Sequence, residues 1–164
     1  MAQVSKGEVW LVGGFLYKRI VYDLYHRAIS LPADIDFVVE EHERNGVFRE
    51  GWAETKNMYG NPRYTKPGLV VDVMELRHIH SIVRRGVSPT IESYLSGVPL
   101  TMQSVAFQIQ SKELIGEVGL SALEEQMVRV YNQEEAEDMA MRLRMTVAQY
   151  AGMKAAEVGF RCEF

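Results

Sequence analysis

Acidic side chains stand inside the two most strand-like runs of this chain, Asp34-Ile35-Asp36-Phe37-Val38-Val39 and Leu69-Val70-Val71-Asp72-Val73. A run rich in β-branched residues suits a buried strand, and an acid inside an otherwise apolar strand stands out there. Strand side chains alternate between faces, so Asp34 and Asp36 share one side of the sheet at the start of their strand. Two anions placed there repel each other. The usual relief is a hard divalent cation, and Mg²⁺ takes one or two carboxylates while phosphates and water complete its octahedron. If the strand over 69–76 pairs with that over 34–39, Asp72 joins them. Three converging carboxylates are the minimum set for two metal ions that clamp the attacking and leaving oxygens of a phosphoryl transfer. An Asp-x-Asp pair by itself is more often a cap, a turn or an exposed strand start, so the surrounding pattern decides its weight.

That pattern begins upstream. Glu8-Val9-Trp10-Leu11-Val12 is apolar and stops at Gly13-Gly14, as a buried strand ending in a tight turn does. Phe15, Leu16, Ile20, Leu24 and Ala28 then recur at helical spacing, and Leu31-Pro32 closes that helix. A strand, two glycines and a helix N-terminus present backbone N–H groups to a phosphate. Residues 42–68 form a polar connection punctuated by Asn45-Gly46, Gly60-Asn61-Pro62 and Lys66-Pro67-Gly68, with a short strand near Trp52–Met58. Ser88-Pro89 reads as a cap and first helical residue, Leu100–Phe107 as a short helix, and Val105–Gln110 with Glu113–Ile115 as a hairpin. A long helix is expected from about Gln133 to Glu157, acidic in its first turns, with Met139, Leu143, Val147, Tyr150 and Ala151 on one face and Gly159 at its end. The expected class is α+β, a mixed sheet flanked by helices with a long C-terminal helix. We expect one domain over 1–164, with a core over 1–110 and the hairpin and last helix over 111–164.

Composition narrows the partners. With 164 residues, 47% of them hydrophobic, and a net charge of −4, the chain fits one ordinary domain with its own core. A single cysteine, Cys162, offers no intramolecular disulfide. No apolar run approaches the ~20 residues of a membrane span, and the N-terminus does not resemble a signal sequence, so no membrane association and a cytoplasmic location are expected. An acidic total argues against bulk coating of nucleic acid. The charge is nonetheless uneven: residues 42–86 hold eight Lys/Arg against five acids, whereas 113–138 hold eight acids and one base, Arg129. A polyanion would meet the first stretch and avoid the second.

Taken together, Leu11-Val12-Gly13-Gly14 and Asp34-Ile35-Asp36-Phe37-Val38-Val39 resemble the head domain of the bacterial-type CCA-adding enzymes and poly(A) polymerases, within the polymerase-β-like nucleotidyltransferase superfamily. Val71-Asp72-Val73-Met74-Glu75-Leu76-Arg77 is similar to that family's acidic third strand ending in Arg. Leu100-Thr101-Met102-Gln103-Ser104-Val105-Ala106-Phe107 resembles its Phe-Thr-Ile-Asn-Ala-Leu-Ala-Tyr segment. Glu137-Asp138, opening a helix that carries Arg144, is similar to its Glu-Asp-x-x-Arg nucleotide-selecting helix. The resemblance covers nearly the whole chain and implies a Mg²⁺-dependent transfer, with two ions, of a nucleotidyl group from an NTP to an acceptor hydroxyl. Asp34 and Asp36 would hold the metals and the triphosphate, Asp72 would hold the catalytic metal and help deprotonate the acceptor, and Gly13 and Gly14 would cradle phosphates. Arg77, Thr101, Asp138 and Arg144 would contact the nucleotide. The acceptor, an RNA 3′ end, a protein or a small molecule, is left open.

Departures from the family stand beside the matches. Tyr17-Lys18 replaces its Arg-Asp, Gly97-Val98-Pro99 replaces its Arg-Arg-Asp, and Gln103 replaces an Asn. Met141 occupies the position of the nucleotide-selecting Arg, with Arg142 one residue later and therefore about 100° around the helix, where it also forms an i,i+4 pair with Asp138. Family members continue into helical domains that hold tRNA. A partner subunit, self-association into a homo-oligomer or a compact substrate is expected to replace them, and CCA addition by this chain alone is not. The alternative is a nucleotide-binding or regulatory module of the same fold with altered chemistry. Among the remaining residues, His78 and His80 flank Ile79 and would serve as metal ligands in an extended segment, but no Cys or third His has a matching spacing. Arg84-Arg85 reads as a solvated pair, the methionines as core fillers, and Cys162 as no nucleophile. Trp52, Tyr59 and Tyr64 with Lys56, Arg63 and Lys66 have the composition of a stacking and phosphate-binding flap.

Overall fold

A computed structural model describes residues 5–43 and 51–163. Asn45-Gly46 lies outside the described residues. Strand β1 (Ser5–Val12) runs into helix α1 (Gly13–Tyr25), followed by β2 (Asp34–His42), the hairpin β3 (Ala53–Lys56) and β4 (Pro62–Lys66), and β5 (Leu69–Glu75). A 3₁₀ turn over Leu76–His78 leads to α2 (His80–Arg85) and α3 (Ile91–Leu95), and a second over Thr101–Gln103 leads to the hairpin β6 (Ala106–Gln108) and β7 (Glu113–Ile115). The remainder is α4 (Glu117–Glu125), β8 (Met127–Arg129), α5 (Gln133–Arg142), α6 (Val147–Val158) and β9 (Arg161–Glu163). Among the described residues, seven strands form one mixed sheet in the order β3-β4-β5-β2-β1-β6-β7, and β8 pairs with β9 in a small parallel ribbon. The architecture is α+β, as expected. No helix among the described residues is long and apolar enough to cross a membrane.

Period-two alternation gives the central strands two apolar faces. Trp10, Val12 and Val38 pack with Leu76, Ile79, Ile82, Ile91 and Leu95 on one face, while Val9, Val39, Tyr64, Val71 and Val73 pack on the other. A third cluster joins Leu16, Tyr17 and Val21 of α1 to Leu100, Met102, Leu123, Tyr150, Ala151 and Ala155.

Helix α1 is shorter than its periodicity suggested. His26 adopts a left-handed conformation (φ 52°) and its N–H bonds Tyr22 O, ending the helix at Tyr25. Leu24 and Ala28 are therefore exposed, and Tyr17 and Val21 supply the buried stripe instead. Arg27, freed from the helix, donates to Val158 O and Gly159 O at the end of α6.

The single long C-terminal helix is two helices. Arg144 sits at φ 55° and Thr146 caps α6, its Oγ1 accepting from Gln149 N at 3.1 Å while Gln149 Oε1 accepts from Thr146 N at 2.8 Å. Thr146-x-x-Gln149 is a reciprocal capping box, and it starts a new helix where apolar spacing alone suggests continuation. Arg144 consequently lies in the connection, and Leu143 is exposed. Thr146→Ala should lower stability by about 1 kcal/mol, measured by urea unfolding.

Two smaller corrections follow from capping as well. Thr90, not Ser88, caps α3, its side chain accepting from Ser93 N. Within Leu100–Phe107 only Thr101–Gln103 is helical, and Ala106 already belongs to a strand. Strand β4, absent from the sequence expectation, begins at Pro62, a first-residue position that proline tolerates.

Candidate active site

Strands β2 and β5 are parallel neighbours, in a register that puts Asp36 directly beside Asp72. On the other side of β2, Val12 of β1 faces Asp36. The chain then turns into α1 through Gly13 in the left-handed region (φ 76°). A Cβ at Gly13 would overlap the Asp36 carboxylate, so glycine is required twice, for its backbone and for the space it leaves. Helix α1 starts with no side-chain cap and no acid in its first turn, so backbone donors near Asp36 are left for a ligand. Gly13→Ala should displace the Asp36 carboxylate and destabilise the protein by about 1–3 kcal/mol, measured by thermal unfolding.

Asp34, two residues earlier on the same face, is exposed and faces the start of β5 at Val70. Asp72 is buried, its side chain only 8% exposed. Both of its oxygens are held by Arg63 of β4, through Nε at 2.8 Å and Nη2 at 2.7 Å. That bidentate geometry is the strongest form of an arginine–carboxylate pair. It comes from register: the turn at Pro67-Gly68 places Lys66 opposite Leu69 and Arg63 opposite Asp72.

Asp36 has no such clamp. Burial, then the charges of Asp72 and Asp34, push its carboxyl up to about 6, with Arg63 opposing them. Two phenols, buried Tyr17 and half-buried Tyr94, lie within the reach of its field. Tyr94 of α3 is pushed well above its ordinary value by burial and then by Asp36, and Tyr17 of α1 by burial, Glu157, Tyr150 and Asp36.

Of the residues expected in the site, the structure sets Gly13 against the Asp36 carboxylate and Asp72 beside Asp36, with Asp34 at the exposed start of the same strand and Gly14 next to Gly13 in the first turn of α1. It does not bring Arg77 or Thr101 to them. Arg77 lies past the far end of β5, where it pairs with buried Glu75 at 2.7 Å. Thr101 is buried and its Oγ1 accepts from Arg129 N at 3.1 Å, tying the second 3₁₀ turn to β8. Asp138 is held by Arg142 through Nε at 3.0 Å and Nη2 at 2.9 Å, the i,i+4 pair expected from spacing. Arg144 is exposed in the α5–α6 connection.

The flap-like residues are engaged internally. Tyr64 is buried with its hydroxyl 3.1 Å from His42 Nε2, Lys66 lies 4.8 Å from the Trp52 ring centre, and Arg142 lies 4.9 Å from that of Tyr59. The replaced family motifs also have structural roles. Lys18 reaches Glu157 of α6 at 2.8 Å, and Arg85 packs beside Gly97 while donating to Ser81 O and Ser96 Oγ, each at 3.0 Å.

No protein-family model and no curated protein sequence matches the chain. Its fold is nonetheless that of solved tRNA-processing enzymes. A CCA-adding enzyme of Thermotoga maritima complexed with tRNA superposes with a TM-score of 0.67 at 23% identity, covering 96% of this chain and 35% of the other. A tRNA nucleotidyltransferase complexed with a primer tRNA and an incoming ATP analog gives 0.65 at 19%, covering 95% and 43%. A tRNA-processing enzyme in its apo form gives 0.64 at 20%, covering 95% and 39%. The chain has a nucleotidyltransferase head-domain-like fold and spans roughly two fifths of the length of these proteins.

Proposed function

We infer that this chain transfers a nucleotidyl group from an NTP to an acceptor hydroxyl. The observation that carries this reading is the side-by-side placement of Asp36 and Asp72 beneath an uncapped helix start that Gly13 keeps open. In the reaction an acceptor oxygen forms a bond to the α-phosphorus, the bond to the β-phosphate bridging oxygen breaks, and pyrophosphate leaves with that electron pair. The hydroxyl proton needs a base. Asp72, to which the resemblance gives that task, would take it once Arg63 releases an oxygen. Backbone N–H groups at Gly13 and Gly14 orient the triphosphate.

The donors are carboxylate oxygens alone, the kind Mg²⁺ takes, and burial, then the charges of Asp72 and Asp34, push the Asp36 carboxyl up, a cost that a cation would offset. Asp34 and Asp36 would hold it, with Asp72 as the third ligand, and it would supply positive charge for the phosphates. An RNA acceptor is favoured by the likeness to enzymes solved with tRNA. The test is transfer of label from each of the four α-labelled NTPs to an RNA pool, to the chain itself and to small hydroxyl acceptors. Labelled product from wild type that Asp34→Asn and Asp36→Asn abolish supports the reading, and product indifferent to both removes it.

The Arg63 clamp favours a second reading, a nucleotide-binding or regulatory module in which an arginine neutralises Asp72 permanently. Calorimetry with ATP separates the two. Tight ATP binding that ignores Mg²⁺, with no labelled product, would establish the module.

A further inference from the structure

A separate group of donors stands between α2 and α5. His80 opens α2, while Glu135 and Asp138 lie three residues apart on one side of α5. Each offers one ligand atom, a ring nitrogen or a carboxylate oxygen, and the three atoms lie within 4.8 Å of one another. The acids are not loose surface groups. Glu135 is largely buried and its backbone N–H is capped by Asn132 Oδ1. Arg84 holds Glu135 Oε1 at 2.5 Å and Arg142 holds Asp138 Oδ2, so each acid is fixed through one oxygen and keeps a second one. Outer partners of this kind orient carboxylates that ligate metals.

We propose that His80, Glu135 and Asp138 bind a divalent transition-metal ion, with water completing its shell. One imidazole nitrogen and two carboxylate oxygens suit Zn²⁺, Co²⁺ or Mn²⁺, whereas the all-oxygen aspartates of the sheet suit Mg²⁺. Zinc bonds of about 2.0–2.2 Å require the donors to close by roughly 1 Å, and exposed His80 is free to make most of that movement. The ion ties α2, which follows the strand bearing Asp72, to α5. Asp138 is then a metal ligand rather than a contact to a nucleotide base. The proposal stands independently of the transfer reaction, since it uses none of the sheet aspartates.

The experiment is calorimetry of the full chain with Zn²⁺ in a background of millimolar Mg²⁺, together with the visible spectrum of the Co²⁺-loaded protein. We expect one equivalent of Zn²⁺ to bind and a Co²⁺ ligand-field band to appear. His80→Ala and Asp138→Asn should each weaken Zn²⁺ binding by more than about tenfold and abolish the band, while Asp36→Asn leaves both intact. His80 is exposed, so its removal tests the site without disturbing the core. Absence of Zn²⁺ binding, binding indifferent to His80→Ala, or binding lost only in Asp36→Asn overturns the proposal.

Discussion

Asp36→Asn should make the protein more stable and inactive at once. The folded carboxyl titrates at about 6 against an ordinary 3.8, so the native state holds its proton more tightly than the unfolded chain does. Between these values the native state binds more protons, and stability falls as pH rises. The loss is complete above about pH 6 and amounts to something on the order of 3 kcal/mol. Asparagine carries no such penalty. In a chelating buffer the variant should gain stability over wild type at pH 7 and lose that advantage by pH 4, read as the difference in urea unfolding free energy. A divalent cation should shrink the gap at pH 7 by stabilising wild type. Transfer activity should fall about a thousandfold or more, because a positioned charge is removed from the reacting centre. A stability difference that does not vary between pH 4 and pH 7 would mean that Asp36 titrates normally.

Arg63→Ala is the second large effect. It leaves Asp72 buried without its two hydrogen bonds. Breaking a fully buried pair from one side costs about 3–5 kcal/mol, and because Arg63 is about a third exposed, water recovers part of that. We expect a loss of about 2–3 kcal/mol at pH 7 by urea unfolding. Adding Asp72→Asn should restore most of the loss, since the orphaned charge disappears, and the double-mutant cycle then measures the coupling directly. Near-additive losses would show that Arg63 stabilises β4 by packing alone. A charge-conserving Arg63→Lys should recover less than half, because a point charge cannot reproduce the two-pronged contact.

The parts of this fold that the sequence makes legible are those set by local periodicity. Alternation in β2 and β5 places Asp34 and Asp36 on one face, and β-branched runs identify both strands before their pairing is known. What escapes is decided by register or capping. Arg63 appears in the sequence as one basic residue of a polar loop, and it becomes the partner of Asp72 only because Pro67-Gly68 fixes a two-residue turn. A hairpin centred on that turn would have paired the two residues in advance. The break between α5 and α6 was equally legible in Thr146-x-x-Gln149, but apolar spacing hides it, since helical periodicity continues across the connection. Tyr17 and Tyr94 carry no local mark at all. Their place near Asp36 comes from the packing of α1 and α3 against a sheet assembled from distant segments. Thr101 illustrates the reverse, a motif residue whose hydroxyl is committed to the backbone of β8.

The embrace of α6 by the N-terminal part of the chain bears on how this protein comes apart. Arg27 closes the end of α6, and α1 finds the partners for its buried stripe in α4, α6 and the second 3₁₀ turn. Residues 1–110 hold the carboxylates and, in Leu100, Met102 and Val105, part of the apolar surface around Leu16, Tyr17 and Val21, yet they lack the part supplied by Leu123, Tyr150, Ala151 and Ala155. The slowest-exchanging amides of α1 and α6 should therefore open together in a single cooperative event. A fragment ending at residue 110 would carry the carboxylates on a sheet whose first helix has lost the half of its seat that α4 and α6 supply.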